Sequence, residues 1–342
     1  MNIKGVCYDV GRVMGINMRP NFDISVVKNE LSIIKNDLHC NAIRICGLDL
    51  GRLLAASNEA LKNGLEVWLS PEMWDKPPSI TSRYILEAAK MAQSLGGKVV
   101  LSLGSELTLL MRGILEGRNF AQRMKNPKNW EAVKSGRHNE LLNEYLTRLA
   151  QSVRKVFSGK ITYASLIWES VDWSRFDFVG VDHYMVKEIR DRYIELLRPH
   201  ISSGKPVVIT EFGFRTYKDD DSSGITGDDD IVNNRSLVLH TKPILRKFFR
   251  PVTVGNHERD EAMQARLLVD QLTELDRAGV EGTFVNTFVS PIYTYDDNPR
   301  FDLDMSSYSL VKSYATGIGR TYPAMPWEPK ESFWALADYY SQ

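Results

Sequence analysis

The feature that most constrains the fold is an alternation, along most of the chain, of short apolar runs and longer amphipathic segments. The short runs are rich in β-branched residues and nearly continuous in apolar character, which is typical of strands covered on both faces. The predicted strands are Lys4–Asp9, Asn41–Cys46, Glu66–Ser70, Lys98–Leu103, Ile161–Ile167, Phe178–Asp182, Pro206–Thr210 and Gly282–Thr287. Strands that alternate with helices indicate repeated βα units on a parallel sheet.

The segments between the strands carry apolar residues at a spacing of three and four. This spacing places one apolar stripe on a helix and predicts helices over Ile24–Leu38, Leu141–Val156 and Ala262–Ala278. Gly279 follows the last of these segments and is a plausible helix stop.

Eight strands with helices between them favour a closed (β/α)₈ barrel, the TIM barrel, within the α/β class. The main competitor is a doubly wound open sheet. That fold usually has a glycine-rich phosphate turn after its first strand, and residues 9–15 match such a turn poorly. We therefore expect a single barrel domain over residues 1–342, in which residues 314–342 cap the barrel or contact another subunit.

Two connections are unusually long and should emerge at the carboxyl ends of the strands. One is Met111–Asn139, after the fourth strand, and the other is Tyr217–Glu258, after the seventh. Long loops in compact domains are often lids or binding loops. The second loop contains the acidic runs Asp219–Asp221 and Asp228–Asp230. A solvated loop is the simpler interpretation of these runs, and calcium binding is the alternative, although their spacing is not that of an EF-hand.

Charge and composition exclude several classes of partner. The 43 basic and 43 acidic residues balance, so no overall field draws the chain to nucleic acid or anionic lipid. No apolar run is long enough to span a membrane, and the N-terminus lacks the pattern of a signal peptide. Cys7, Cys40 and Cys46 have no metal-ligand spacing and suit buried, reduced thiols. We expect a cytoplasmic protein; the sequence leaves its oligomeric state open.

In a barrel of this kind, polar residues at the carboxyl ends of the strands surround the site. Carboxylates and aromatic side chains dominate those positions, which are Tyr8, Asp9, Arg12, Arg44, Glu72, Trp74, Ser105, Glu106, Trp168, Glu169, Asp182, His183, Tyr184, Glu211 and Asn286. Cleavage of an acetal needs an acid for the leaving oxygen and a carboxylate to meet the developing positive charge. Aromatic faces stack on sugar rings, and the tryptophans available for stacking are Trp74, Trp130, Trp168 and Trp173.

Other chemistries find less support in the same positions. His183 and Asp182 could begin a metal site, but no further histidine or cysteine ends a predicted strand nearby, so we expect no metal. No Gly-x-Ser-x-Gly elbow ends a strand, which argues against a serine hydrolase. Arg12 and Arg44 could bind a phosphate, but the late glycine-rich phosphate loops are missing.

Three short motifs resemble the retaining glycoside hydrolases of clan A, which include mannanases, galactanases and cellulases. They are Asn41–Arg44, Gly104–Leu107 and Thr210–Gly213, and Thr-Glu-Phe-Gly is the most specific of them. The segment Phe301–Tyr308 also resembles one in uncharacterised bacterial relatives of these hydrolases, some of which are labelled "abortive infection".

The resemblance implies that Glu106 is the acid/base and Glu211 the nucleophile. It also implies that Arg44 supports the nucleophile and that His183 and Tyr184 line the subsite where cleavage occurs. General electrostatics agrees with the roles, since a carboxylate beside a guanidinium stays ionised while a less compensated neighbour holds a proton. In the retaining mechanism the two carboxyl groups lie about 5–5.5 Å apart, and no cofactor is needed.

The sequence departs from the clan pattern at two positions of this subsite. Ser105 stands where the clan usually has Asn before the acid/base, and the eighth strand ends at Asn286-Thr287-Phe288 where the clan usually has Trp. Glu72 and Glu169 are further carboxylates that could bind sugar hydroxyls or only neighbouring side chains. The sequence thus predicts a glycosidase for small oligosaccharides or glycosides. The alternatives are a barrel that binds carbohydrate without cleaving it and a barrel enzyme acting on phosphorylated metabolites.

Overall fold

The computed structural model describes residues 1–13, 16–218, 231–232, 237, 239 and 250–342. The two acidic runs of the second long loop lie outside the described residues, so their interpretation stays a prediction.

Eight parallel strands close into a barrel. The strands are β1 (Ile3–Asp9), β2 (Ala42–Gly47), β3 (Glu66–Pro71), β4 (Val99–Ser105), β5 (Lys160–Leu166), β6 (Val179–Asp182), β7 (Val207–Phe212) and β8 (Gly282–Val285). Each strand pairs with its neighbour in sequence, and β8 pairs with β1 to complete the circle. The predicted (β/α)₈ barrel is confirmed, and the predicted strands differ from these bounds by one or two residues.

Helices connect most strands and form the outer layer. Their bounds are Ile24–Asn36, Leu50–Lys62, Pro78–Leu95, His138–Val153, Tyr193–Ile201, Glu261–Ala278 and Glu331–Ser341. Aspartate side chains cap three of them: Asp23 accepts from the backbone amide of Ser25, Asp49 from that of Arg52 and Asp260 from that of Met263. Gly279 ends the helix before β8 with a φ of 84°, a left-handed conformation that glycine adopts at low cost. No helix among the described residues is long and apolar enough to cross a membrane.

The long connection after β4 is a packed segment. It contains short helices at Leu107–Leu110, Phe120–Lys125 and Pro127–Lys134. The fully buried Arg123 donates to the carbonyl oxygen of Leu109 at 2.5 Å and pairs with Asp75 at 2.5 Å. This arginine ties the connection to the segment after β3, so the two border the same side of the barrel's carboxyl end.

The C-terminal segment lies outside the barrel strands, in a separate small sheet and in a helix of the outer layer. Trp327–Pro329 pairs antiparallel with Val311–Tyr314, and the helix Glu331–Ser341 packs against Glu261–Ala278. Lys4 of β1 donates to the carbonyl oxygen of Tyr340 at 2.8 Å.

A buried ionic cluster joins this segment to the first helix. Glu30 is 1% exposed, and its carboxylate accepts from the indole of Trp327 at 2.8 Å, pairs with Arg19 at 3.0 Å and accepts from the hydroxyl of Tyr8. Because the carboxylate satisfies one cation and two donors, removing it would leave a buried, unpaired guanidinium.

We expect Glu30→Ala to lower the free energy of unfolding by about 3–5 kcal/mol, the usual cost of removing one partner of a buried pair. Urea denaturation followed by circular dichroism measures this loss. The matched control is Glu144→Ala, which removes an exposed helical ion pair with Arg148 and should cost about 0.5 kcal/mol or less. Equal losses in the two variants would contradict a structural role for the buried cluster.

Candidate active site

Arg44 of β2 is the centre of a polar cluster at the carboxyl end of the barrel. The side chain is 1% exposed and forms an ion pair with Glu211 of β7. Its second terminal nitrogen lies 3.7 Å from Glu72, directly after β3, and donates to the hydroxyl of Ser70 at 3.1 Å. One guanidinium therefore connects three strands and compensates the carboxylates that face it.

Glu211 is held at both carboxylate oxygens. Oε1 pairs with Arg44, and Oε2 accepts from the hydroxyl of Tyr184 at 3.0 Å. The amide of Asn286 donates to the same hydroxyl at 2.6 Å, which fixes the tyrosine in turn. The Glu211 side chain remains 18% exposed. It is thus an oriented carboxylate that still reaches the surface of the site.

Glu106 follows β4 and has a different environment. It is half-buried, and no side chain among the described residues hydrogen-bonds its carboxyl group. Burial raises the pKa of Glu106 well above its ordinary value, and the negative charges of Asp182 and Glu211 raise it further. Its backbone adopts a φ of 47° and ψ of 39°, a left-handed conformation that is strained for a residue with a β-carbon and is frequent at functional sites. This carboxyl group is suited to carry a proton near neutral pH.

Three further carboxyl groups, those of Asp9, Asp182 and Glu72, surround Glu106 and Glu211. Burial, followed by the charge of Glu211, raises the pKa of Asp9 to about 7 and that of Asp182 to about 7. Burial raises the pKa of Glu72 to about 8, although Arg44 opposes the shift. Carboxyl groups outnumber the cations described here, so some of them hold protons at neutral pH. Sequence reasoning located Asp9 only as a strand-end residue and considered Asp182 otherwise only as a metal ligand with His183, and the strand-end position was the available signal.

Two of the predicted substrate-binding residues are engaged within the protein. The hydroxyl of Ser105, 7% exposed, donates to Asp182 at 3.0 Å. Glu169 is 2% exposed and accepts from the hydroxyl of Tyr163 and from two backbone amides. Burial raises its pKa to about 7. Of the two interpretations of Glu169, contact with neighbouring groups fits this placement.

His183 lies against the helical layer and is fully buried. Its ring stacks on Tyr193 with centroids 3.9 Å apart, and Nε2 lies 2.8 Å from the carbonyl oxygen of Tyr193. Burial lowers the pKa of His183 to about 4. The described contacts of its ring are with Tyr193 and do not include Glu211 or Arg44, and its place in the cleavage subsite stays a prediction. Tyr184, the next residue, donates to Glu211.

The four tryptophans that the sequence offers for stacking on a sugar fall into two groups. Trp74, Trp130 and Trp168 are half-buried in one apolar cluster beside the connection after β4, where Trp74 packs on Phe120. Trp173 is buried between β5 and the outer layer and packs on Phe176. Only the first group keeps accessible aromatic surface.

The site offers little to a metal or to a phosphate. Within the part of the chain that the structure describes, no three His, Cys, Asp or Glu side chains are grouped to hold a metal ion. Arg44 is enclosed by carboxylates, which would repel a phosphate group.

The fold is shared with solved glycoside hydrolases. A GH113 beta-1,4-mannanase superposes with a TM-score of 0.59 at 14% identity and covers 100% of both chains. A GH113 beta-mannanase from Alicyclobacillus acidocaldarius gives 0.57 at 14% identity, with 99% of this chain and 97% of the other covered. A GH5-4 broad specificity endoglucanase from Clostridium longisporum gives 0.56 at 13% identity, with 99% and 96% covered.

No model of a protein family matches the chain, and no curated protein matches it. Likeness at such low identity shows the barrel fold alone. The descriptions of these three structures do not mention abortive infection, and that resemblance stays a prediction.

The raised pKa of Glu72 predicts a pH dependence of stability. The folded protein holds a proton on Glu72 up to about pH 8, whereas the unfolded chain releases it near the ordinary value of 4.5. The proton on Glu72 therefore stabilises the folded protein in full below pH 4.5, and this stabilisation is lost as the pH rises through about 8. The free energy of unfolding changes by about 1.4 kcal/mol per pH unit for each such proton. Urea unfolding between pH 5.5 and 8.5 should give a free energy that falls with pH, and Glu72→Gln should flatten the slope. The exposed Glu144→Gln should keep it, and an equal slope in all three proteins would contradict the assignment.

Proposed function

We propose that this protein is a retaining glycoside hydrolase in which Glu211 is the nucleophile and Glu106 the acid/base. One observation carries the proposal: the two glutamates have opposite electrostatic environments at the same end of the barrel. Glu211 is paired with a buried guanidinium and oriented by Tyr184, whereas Glu106 has a raised pKa and no cationic partner among the described residues. The shared fold with GH113 and GH5 glycosidases supports the same reaction class.

In the first step, Glu211 attacks the anomeric carbon as the bond to the leaving oxygen breaks. Glu106 gives its proton to that oxygen, so the departing group leaves as an alcohol and Glu106 becomes a carboxylate. The guanidinium of Arg44 and the hydroxyl of Tyr184 hold the Glu211 carboxyl group in a fixed orientation before the attack. Because these groups are already fixed by Ser70 and Asn286, little reorganisation accompanies the reaction.

In the second step, water attacks the anomeric carbon of the glycosyl ester. The Glu106 carboxylate takes a proton from the water, and the bond from the sugar to Glu211 breaks, which restores both glutamates. Two displacements at one carbon return the original anomeric configuration. The mechanism needs a carboxyl separation of about 5–5.5 Å.

The substrate class follows from the lining of the site. Trp74 and Trp168 offer half-buried aromatic faces in the apolar cluster beside the connection after β4, which suits stacking on a second sugar or an aromatic leaving group. The hydroxyl of Ser105 donates its hydrogen bond to Asp182. It is therefore not free to donate to the sugar hydroxyl that Asn binds in the clan. Cys7, Cys40 and Cys46 are free and buried, which fits a reducing cytoplasm. We therefore propose small oligosaccharides or glycosides as substrates.

Glu211→Gln tests the nucleophile. The amide is nearly isosteric but cannot form the glycosyl ester, so kcat on aryl glycosides should fall about 1,000-fold or more while the fold is kept. The parent protein is first screened on aryl glycosides and on manno-, gluco-, galacto- and xylo-oligosaccharides, with Glu144→Gln as an exposed control. Parent-like turnover in the Glu211 variant would refute the assignment. Oligosaccharide binding by calorimetry without hydrolysis would instead identify a barrel that binds without cleaving.

Glu106→Gln tests the acid/base separately. A substrate with a very acidic leaving group needs no proton, so its first step should proceed, while the glycosyl ester should accumulate because water lacks its base. Azide attacks without a base and should restore turnover by about tenfold or more, giving a glycosyl azide of retained configuration. Proton NMR of the product reads the configuration. An inverted product, or no effect of azide, would exclude the retaining mechanism.

A further inference from the structure

Asp182 links the two strands that carry the glutamates. It is the last residue of β6, and its side chain is 3% exposed. Oδ1 accepts from the hydroxyl of Thr210 at 2.6 Å, and Oδ2 accepts from the hydroxyl of Ser105 at 3.0 Å. Ser105 directly precedes Glu106, and Thr210 directly precedes Glu211. One carboxylate thus holds the residue before each glutamate.

Register shifts occur in the strand pairing near both glutamates. The pairing of β4 with β5 shifts register between Ser102 and Ser105, and the pairing of β6 with β7 shifts between Val181 and Asp182. Such irregularities interrupt the hydrogen-bond ladder and re-aim the side chains beside them. The side-chain bridge through Asp182 therefore restrains the strand ends where the ladder is interrupted.

The charge of Asp182 also acts on Glu106. Among the charged groups that face Glu106, Asp182 has the largest effect and raises its pKa, ahead of Glu211, Glu169 and Glu72. Asp182 itself faces Glu211, which favours its protonated form, and Arg44, which favours the carboxylate. Its pKa of about 7 means that its charge is present above neutral pH, where the acid/base must keep its proton.

We propose that Asp182 is a positioning residue. By binding the hydroxyls of Ser105 and Thr210, it sets Glu106 and Glu211 relative to each other and holds its own carboxylate charge next to Glu106. The inference rests on the proposed function for its catalytic consequence, but the bridge and its effect on Glu106 exist without substrate. No reaction step passes through Asp182.

Asp182→Asn is the test, because the amide can still accept from one hydroxyl and donate to the other while the charge is removed. We expect the alkaline limb of the kcat/KM profile to move to lower pH, since Glu106 then loses its proton more easily. At pH 8, kcat should fall about tenfold or more, whereas KM should change less than about threefold. A merely structural residue would lower stability without moving the limb. If the folded Asp182→Asn protein keeps the alkaline limb of the parent's kcat/KM profile, the proposal is overturned.

Carbon NMR of the Glu106 carboxyl in the free protein, assigned with Glu106→Gln, keeps this test independent of turnover. Its titration should move to lower pH in Asp182→Asn and stay unchanged in Asp338→Asn, an exposed control on the last helix. If Asp182→Asn does not fold, Ser105→Ala and Thr210→Val replace it. Each removes one donor to Asp182, favours its neutral form and should move the Glu106 titration in the same direction; an unmoved titration would overturn the proposal.

The two proposals fail in different ways. A parent protein that hydrolyses no glycoside, together with a shifted Glu106 titration, would refute the function and leave the bridge in place. Glycoside hydrolysis with an unshifted titration and an unmoved limb would refute the role of Asp182 alone.

Discussion

The ion pair between Arg44 and Glu211 is the interaction on which the organisation of the site depends. A guanidinium that is 1% exposed has lost its hydration, and a buried charge is tolerated only where partners replace the water. Arg44 finds them at two other strands, in Ser70 and Glu72 at the end of β3 and in Glu211 of β7. The need to satisfy this one cation fixes the positions of β2, β3 and β7 relative to one another at the end where the chemistry is proposed.

Around Arg44, the carboxyl groups outnumber the positive charges, so the carboxyl groups have different electrostatic environments. Glu211 pairs with the Arg44 guanidinium and accepts from a hydroxyl, whereas Glu106 faces carboxylates. The nearby Asp9, Glu72 and Asp182 have raised pKa values because burial and mutual repulsion favour their neutral forms. Two residues of the same type can thus act as nucleophile and as proton donor because their surroundings differ.

Several buried clusters outside the site hold the segments that border it. Arg123 fixes the connection after β4, and with it the position of Trp74 and Phe120. In a second cluster, the fully buried Lys330 pairs with Asp304, which also pairs with Arg259. This cluster holds the segment that contains Tyr308, whose ring packs against Tyr184. The orientation of Glu211 therefore depends on contacts that reach well beyond its own strand.

The sequence by itself determined the barrel and the placement of its polar residues. Strand periodicity and β-branched composition are local properties, and because parallel strands of a closed barrel end on one side, strand order alone places Arg44, Glu106 and Glu211 at that side. The bounds of the three predicted helices were correct within three residues, and Gly279, which acts locally as a stop, ends the last of them.

Only the tertiary structure decided which of these residues meet. His183 and Tyr184 are adjacent in sequence, yet one is buried against Tyr193 and the other reaches Glu211, because successive residues at a strand end point to opposite sides. The bridge from Asp182 to Ser105 and Thr210 joins residues 77 and 28 positions apart. Its partners depend on register shifts between strands, and the pKa values depend on burial. A local sequence pattern encodes neither the partners of Asp182 nor these pKa values, because both depend on groups distant in sequence that the closed barrel brings together.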